Sequence, residues 1–155
     1  MPTAENNSLA VEVRDLWMTF PGKRKDSPVH VLEKVDLEVK HGDFVCIVGP
    51  SGCGKSTLLN IIGGFLKQTG GTVLVEGKPV DGPDPKRIFV FQENGVFPWL
   101  TVEENVGFGL LNLAKDERDK IVTRYIAMVG LTGFEKSYPR ELSGGMRQRV
   151  EIARA

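Results

Sequence analysis

Apolar positions in the first forty residues recur at every second site. Val11 and Val13 alternate with Glu12 and Arg14, and Leu16 carries the run towards Phe20. Val35, Leu37 and Val39 alternate with Asp36, Glu38 and Lys40. A two-residue period predicts strands with one face buried and the other wet. FVCIV (44–48) and IFVF (88–91) are unbroken apolar runs instead. Short continuous runs fit strands covered on both faces, so each is predicted to be a buried central strand, with Cys46 in the core. GTVLVEG (71–77) predicts another strand, and the three prolines and two aspartates of 78–86 predict a loop.

Other stretches follow the helical period. Leu58, Leu59, Ile61, Ile62 and Phe65 share one face of a helix that would begin near Lys55. Thr101 and Glu104 form a capping-box pattern. Val122, Tyr125, Ile126 and Val129 predict a helix over about 116–129, with Gly130 at its C-terminal cap. Met146, Val150 and Ala153 mark the core face of a last helix. Residues 1–8 are polar and expected to fray, and the basic stretch 21–28 reads as a turn-rich, solvated loop. A strand-rich part thus precedes a helical part, with the boundary expected near residue 95.

Composition narrows the function. The chain has 155 residues, 41% of them hydrophobic, enough for one core-forming domain. Lys+Arg and Asp+Glu are both 20, so there is no cationic excess to neutralise nucleic-acid phosphates, and no nucleic-acid partner is expected. The longest mostly apolar stretch, 58–66, falls far short of the ~20 residues of a membrane span, and no secretory signal opens the chain. Two cysteines, Cys46 and Cys53, make no disulfide framework and point to a reducing, cytosolic setting. His30 and His41 stand at loop-like positions without a partner at metal-ligand spacing, and are expected on the surface.

The chemistry concentrates in GPSGCGKS (49–56), which fits G-x-x-x-x-G-K-[ST] between a predicted strand and a predicted helix. Glycines let backbone N–H groups curl around a phosphate, and the helix start adds its positive dipole end. Gly49, Pro50, Ser51, Gly52, Cys53 and Gly54 would form the cradle. Lys55 would neutralise the β- and γ-phosphates, Ser56 would ligate Mg²⁺, and Thr57 would bond near the α-phosphate. Kinases, GTPases and motor ATPases share this loop, so it does not fix the reaction. A second glycine-rich helix start, LSGGMRQR (142–149), discriminates further. By itself it also fits an ordinary capped helix with Ser143 as N-cap.

Together the two motifs resemble the ATP-binding-cassette (ABC) ATPases, over almost the whole chain. The resemblance implies an α/β P-loop NTPase fold with a β-rich subdomain, a RecA-like core and a helical subdomain. It implies ATP and Mg²⁺ as ligands. Phe20 matches the aromatic position that stacks on adenine. Gln92 matches the glutamine that touches Mg²⁺ and links the nucleotide site to the helical subdomain; with Lys55 it is the candidate catalytic residue. Leu142, Ser143, Gly144 and Gly145 match the signature that closes on ATP held by a second subunit, so a homodimer or paired ATPase subunit is implied. FPWLTVEENV (97–106) resembles the nitrate/sulfonate/taurine importer branch, whose corresponding segment faces membrane permease subunits. The expected location is the cytoplasmic face of the inner membrane. The alternatives are a non-transport ABC ATPase of translation or DNA repair, a P-loop kinase and a nucleotide-binding remnant.

In the family the signature helix is followed by the Walker B strand with its acidic residues. These have no counterpart in 1–155, and neither Glu93 nor Glu103-Glu104 is placed to replace them. The expectation is therefore a partial domain: 1–94 for the β subdomain and incomplete core, 95–145 for the helical subdomain, and 142–155 for the signature and the start of its helix. Such a piece would lack central strands of the sheet, leave the apolar faces around 44–48 and 88–91 partly uncovered and so dissolve poorly, and it would bind ATP·Mg weakly and turn it over negligibly.

Overall fold

The computed structural model describes residues 8–22, 27–91 and 95–155. The expectations for the first seven residues, for the middle of the basic 21–28 loop and for Gln92 and Glu93 lie outside the described residues. The chain forms two compact units, Met1–Arg87 and Ile88–Ala155.

The first unit is an antiparallel sheet with one helix. Strands β1 (Leu9–Phe20) and β2 (Val29–Lys40) pair along their length; β3 (Gly70–Val75) joins the other edge of β1, and the short β4 (Lys78–Pro79) follows, in the order β2-β1-β3-β4. The phase of β1 changes midway. Val13 is buried, but so are Leu16 and Met18, three and five residues on. Asp15, at φ 47°, sits in an irregularity of the ladder to β2, as does Lys34 at φ 50° on the facing strand. Such a bulge adds a residue to the strand and turns the next side chains back to the same face. The Asp36 carboxylate holds it by accepting from the Asp15 N–H at 2.8 Å. Helix α1 (Lys55–Gly63) lays Leu58 and Ile61 on this face, completing a core with Val13, Leu16, Met18, Leu32 and Val73.

The second unit is helical: α2 (Val102–Val106), α3 (Lys115–Met128) and α4 (Gly144–Arg154), with 3₁₀ turns at Phe108–Leu110 and Pro139–Glu141. The capping box forms as expected. Glu104 N–H donates to Thr101 Oγ1 at 3.3 Å, and Thr101 N–H donates to the Glu104 carboxylate at 2.8 Å. These bonds hold the Glu104 carboxyl below its usual range, the backbone bond at Thr101 first and its hydroxyl second. Val122 and Ile126 of α3 and Val150 of α4 meet Val102, Val106, Leu131 and Leu142 in one apolar cluster, with Met146 and Ala153 packed against it. Gly130 ends α3 at φ 65°, the left-handed conformation that a C-terminal cap uses.

Both expected central strands are corrected. Neither 44–48 nor 88–91 is a strand; the exposure of Phe44, Val48 and Ile88, at 97%, 87% and 64%, agrees with the uncovered faces expected of a partial domain. Cys46 is likewise exposed rather than in the core. An apolar run encodes a wish for burial, but a strand exists only where a neighbour shares its ladder. No strand among the described residues pairs with either run. Two smaller corrections concern positions read as loop. Residues 78–79 form β4 across the Glu76-Gly77 turn, and His30 lies within β2, its Nδ1 3.0 Å from Thr19 Oγ1. His41 is in a turn as expected, 3.0 Å from the Glu76 carboxylate.

Candidate functional site: two glycine-bearing helix starts

The 49–56 loop is shaped by contacts that exclude side chains. Gly54, the N-cap of α1, has φ 94°, and a Cβ there would lie 2.8 Å from Leu32 Cδ2 on β2. Gly52 takes φ 83° with open space beside it. A Cβ on Gly49 would sit 2.8 Å from Cys53 Sγ. The first intrahelical bond runs from Leu58 N–H to Gly54 O at 2.9 Å. The N–H groups of the turn before it therefore have no partner within the helix, and no side chain caps α1. The Lys55 ammonium lies back across the loop, donating to Gly49 O at 2.8 Å and Pro50 O at 2.7 Å, with Cys53 Sγ at 3.7 Å. Ser51, Gly52, Cys53 and Ser56 are exposed, and Thr57 is half-buried. The result is a helix start that no side chain caps, with one cation lying across the loop before it. This suits a polyphosphate. The exposed Ser56 hydroxyl, on the first turn, suits a Mg²⁺ ligand beside it. Phe20 closes β1 opposite Val29, its ring packed partly into the unit's core.

The second glycine-bearing start belongs to α4. Ser143 is its N-cap, the hydroxyl accepting from Met146 N–H at 3.3 Å. Gly144 and Gly145 occupy the first turn, exposed, and neither has φ in the left-handed region. A Cβ at Gly145 would meet nothing within 4 Å, and one at Gly144 only Arg147 Nη2 at 3.9 Å. Leu142 is buried in the apolar cluster, so it anchors the motif from beneath while Ser143 and the glycines face outward. Each arginine of α4 contacts its own unit. Arg147 Nη1 donates to Leu142 O at 2.5 Å and Pro139 O at 3.4 Å. Arg149 Nη1 donates to Val129 O at 2.9 Å and Gly130 O at 3.3 Å, fastening α4 to the end of α3. Arg154 lies over the Phe97 ring, 4.7 Å from its centroid.

Two polar side chains that the sequence reading passed over organise the 97–106 segment and its approach. Asn105 is fully buried; its Oδ1 accepts from Phe97 N–H at 2.8 Å, and its amide faces the carbonyls of Phe97, Leu100 and Thr101 at 2.9–3.1 Å. Glu151 is 3% exposed and also binds backbone. Its burial beside Val150 shows only in the fold, since a glutamate in a helical pattern reads as solvated. Above Asn105 the segment borders a groove of about 660 Å³, lined by Trp99, Phe108, Leu111, Arg118, Asp119 and Lys136 among others. The ammonium of Lys136 is held above the usual lysine range, first by its hydrogen bond to Glu103 and then by that carboxylate's charge. Among the described residues no cluster of three or more His, Cys, Asp or Glu could hold a metal, and no helix is long and apolar enough to cross a membrane.

Fold and loop together define a nucleotide-binding protein of the P-loop class. The family follows from comparison: the model described as ABC transporter matches residues 32–155, and the chain belongs to that family. It is 49% identical over 147 residues to the aliphatic sulfonates import ATP-binding protein SsuB of Bacillus cereus (strain ZK / E33L), covering 95% of this chain and 57% of that protein. It is 47% identical over 147 residues to the nitrate import ATP-binding protein NrtD of Synechocystis sp. (strain ATCC 27184 / PCC 6803 / Kazusa), covering 94% and 54%. Among solved structures it resembles the dimeric post-hydrolysis state of the ATP-binding cassette MJ0796 bound to ADP and Pi, with a TM-score of 0.80 and 36% identity over 93% of this chain and 68% of that one. The chain spans about half the length of the curated relatives it matches.

Proposed function

We propose that this chain supplies the ATP-gripping parts of the ATPase that drives an importer for a small anion such as nitrate, a sulfonate or taurine. The observation that carries the reading is the uncapped start of α1, with Lys55 lying across a loop of glycines. Phosphoryl transfer depends mostly on positioning and on charge stabilisation. The 49–54 amides position the phosphates, Lys55 neutralises them, and Phe20 offers an aromatic face for adenine. Ser56, with Gln92, would hold Mg²⁺, which when bound neutralises the charge developing on the β- and γ-oxygens. The subdomain limits expected at 94 and 145 belong to the same reading.

The start of α4 serves a second copy or a paired ATPase subunit. Gly144 and Gly145 are required by nothing in their own chain, whereas a phosphate held by a facing subunit could approach their amides closely. The groove beside Trp99 has the makings of a permease docking site on the cytoplasmic face of the membrane, since its aromatic and mixed-charge lining matches one face of an amphipathic helix. The import functions named for SsuB and NrtD support this assignment.

Calorimetry with ATP·Mg tests the grip. Lys55→Ala is expected to weaken binding tenfold or more, since hydrogen bonds to charged groups contribute about 1.5–3 kcal/mol; unchanged affinity overturns the assignment of the loop. The importer reading is tested in the source cell. Lys55→Ala on the chromosome should abolish growth on nitrate as sole nitrogen source or on a sulfonate as sole sulphur source, and undiminished growth on both counts against it.

A further inference from the structure

Helix α2 is five residues long, too short to persist on its own propensity. Its start is nonetheless closed at all four N–H groups that a helix leaves without internal partners. Thr101 N–H and Glu104 N–H bond within the capping box. The other two reach a distant part of the chain: Val102 N–H donates to Ser137 O and Glu103 N–H to Glu135 O, each at 3.0 Å. Residues 135–137 thus form a backbone brace across the start of α2. Between those two carbonyls stands Lys136, whose ammonium pairs with the Glu103 carboxylate. The brace runs on into the start of α4 and is tied along the way. Tyr138 N–H donates to the Glu141 carboxylate at 2.6 Å, and Glu141 N–H to Tyr138 O at 2.9 Å. Leu142 N–H donates to Pro139 O at 3.2 Å, and Arg147 holds the carbonyls of both residues. Ser143 then caps α4 through Met146 N–H. Val102 and Leu142 also share the apolar cluster, but apolar contact has no preferred direction. The hydrogen bonds decide which way the turn before Ser143 faces.

We propose that Lys136 is a positioning residue for the helix start at Ser143: by clasping Glu103 it holds the 135–137 brace to α2, and the brace sets the turn that presents Ser143, Gly144 and Gly145. The proposal rests on the reading of that start as a grip for ATP held by a second copy. Glu103 and Lys136 also line the groove beside Trp99. A charged side chain seated in the groove and drawing either member from the other would release the brace, and with it the grip.

The test uses the 155-residue chain as wild type, Lys136→Ala, Lys136→Arg, Glu103→Gln and the double variant of Glu103→Gln with Lys136→Ala. Protection against amide hydrogen exchange is read at Val102 and Glu103, which meet the brace, and at Met146, which reports the start of α4. Ile126 is the control for an intact fold. An ion pair this exposed has a modest effect, so Lys136→Ala should lower protection at all three amides about two- to fivefold and leave Ile126 unchanged. Lys136→Arg should retain wild-type protection. Glu103→Gln, which mimics a partner drawing Lys136 away, should match Lys136→Ala. The double variant should lose no more than either single one, as one shared interaction requires. ATP-dependent self-association, followed by sedimentation, should weaken in Lys136→Ala by the same about two- to fivefold. If Ile126 also loses protection in Lys136→Ala, Glu103→Gln decides by the same criteria. Unchanged protection at Met146, equal loss in Lys136→Arg, or undiminished self-association of Lys136→Ala overturns the proposal. Wild type that stays monomeric in saturating ATP overturns the second-copy reading instead, and Met146 still decides whether Lys136 positions the start of α4.

Discussion

Helices α1 and α4 both begin among glycines, but the glycines do different work at the two starts. At α1 the chain itself demands them: Gly54 sits at φ 94° against Leu32, and Gly49 against Cys53. At α4 the backbone is ordinary, the space beside Gly144 and Gly145 is open, and a serine has taken over the capping. Glycine in a helix costs about 0.5–1 kcal/mol relative to alanine. Two in one turn with no internal reason point outward, to something that must come close. The glycines of the first start are thus required by their own fold, and those of the second, on the proposed reading, serve another surface.

That contrast can be broken or sharpened by substitution, with Trp17 reporting the first unit and Trp99 the second in single-tryptophan backgrounds. The largest effect is expected at Gly54→Ala. Left-handed backbone costs about 1–2 kcal/mol and overpacking about 1–3 kcal/mol, so urea denaturation followed at Trp17 should show a loss of about 2–5 kcal/mol. A loss near zero would mean that the loop does not need its glycine. Ser143→Ala removes a side-chain cap and should cost about 1 kcal/mol at Trp99, with Trp17 unmoved. Gly145→Ala should go the other way, stabilising the second unit by about 0.5 kcal/mol while weakening ATP-dependent dimerisation, measured by sedimentation. Destabilisation there would show an internal role for Gly145 and erase the difference between the two starts. The smallest effect concerns acid. The carboxyl of Glu104 titrates below its ordinary value of 4.5 in the fold, so its contribution to stability is complete above that value and is lost as pH falls through the lower one. Denaturation midpoints read at Trp99 in buffers below pH 4.5 should show this decline in wild type and a flatter profile in Thr101→Ala.

Local signals were the legible ones. The capping box at Thr101, the cap at Ser143, the phase of Val122 and Ile126, and the glycine loop before Lys55 each depend on residues within one or two turns, and each was readable in the sequence. Runs 44–48 and 88–91 were misjudged because composition records only an appetite for burial, while a ladder depends on which distant strand lies alongside. The bulge at Asp15 was invisible for a related reason, since its conformation is fixed by Asp36 on the neighbouring strand. Asn105 and Glu151 escaped because polar letters in a helical pattern read as solvated until the fold shows which backbone amides they meet. The two glycine-bearing motifs were legible as helix starts; the carboxylate that ties α4 to Phe91 and Gly95 was not.

The guanidinium of Arg147 reaches back past its own helix start to the carbonyls of Leu142 and Pro139. A strap of backbone that would otherwise swing is thereby stapled to the turn it leads into, and Ser143 and its neighbouring amides come to any encounter already aimed. On the proposed reading of this helix start, little motion would remain to be frozen when a partner arrives, so docking there should be fast to lock and sensitive to the length of the bound anion.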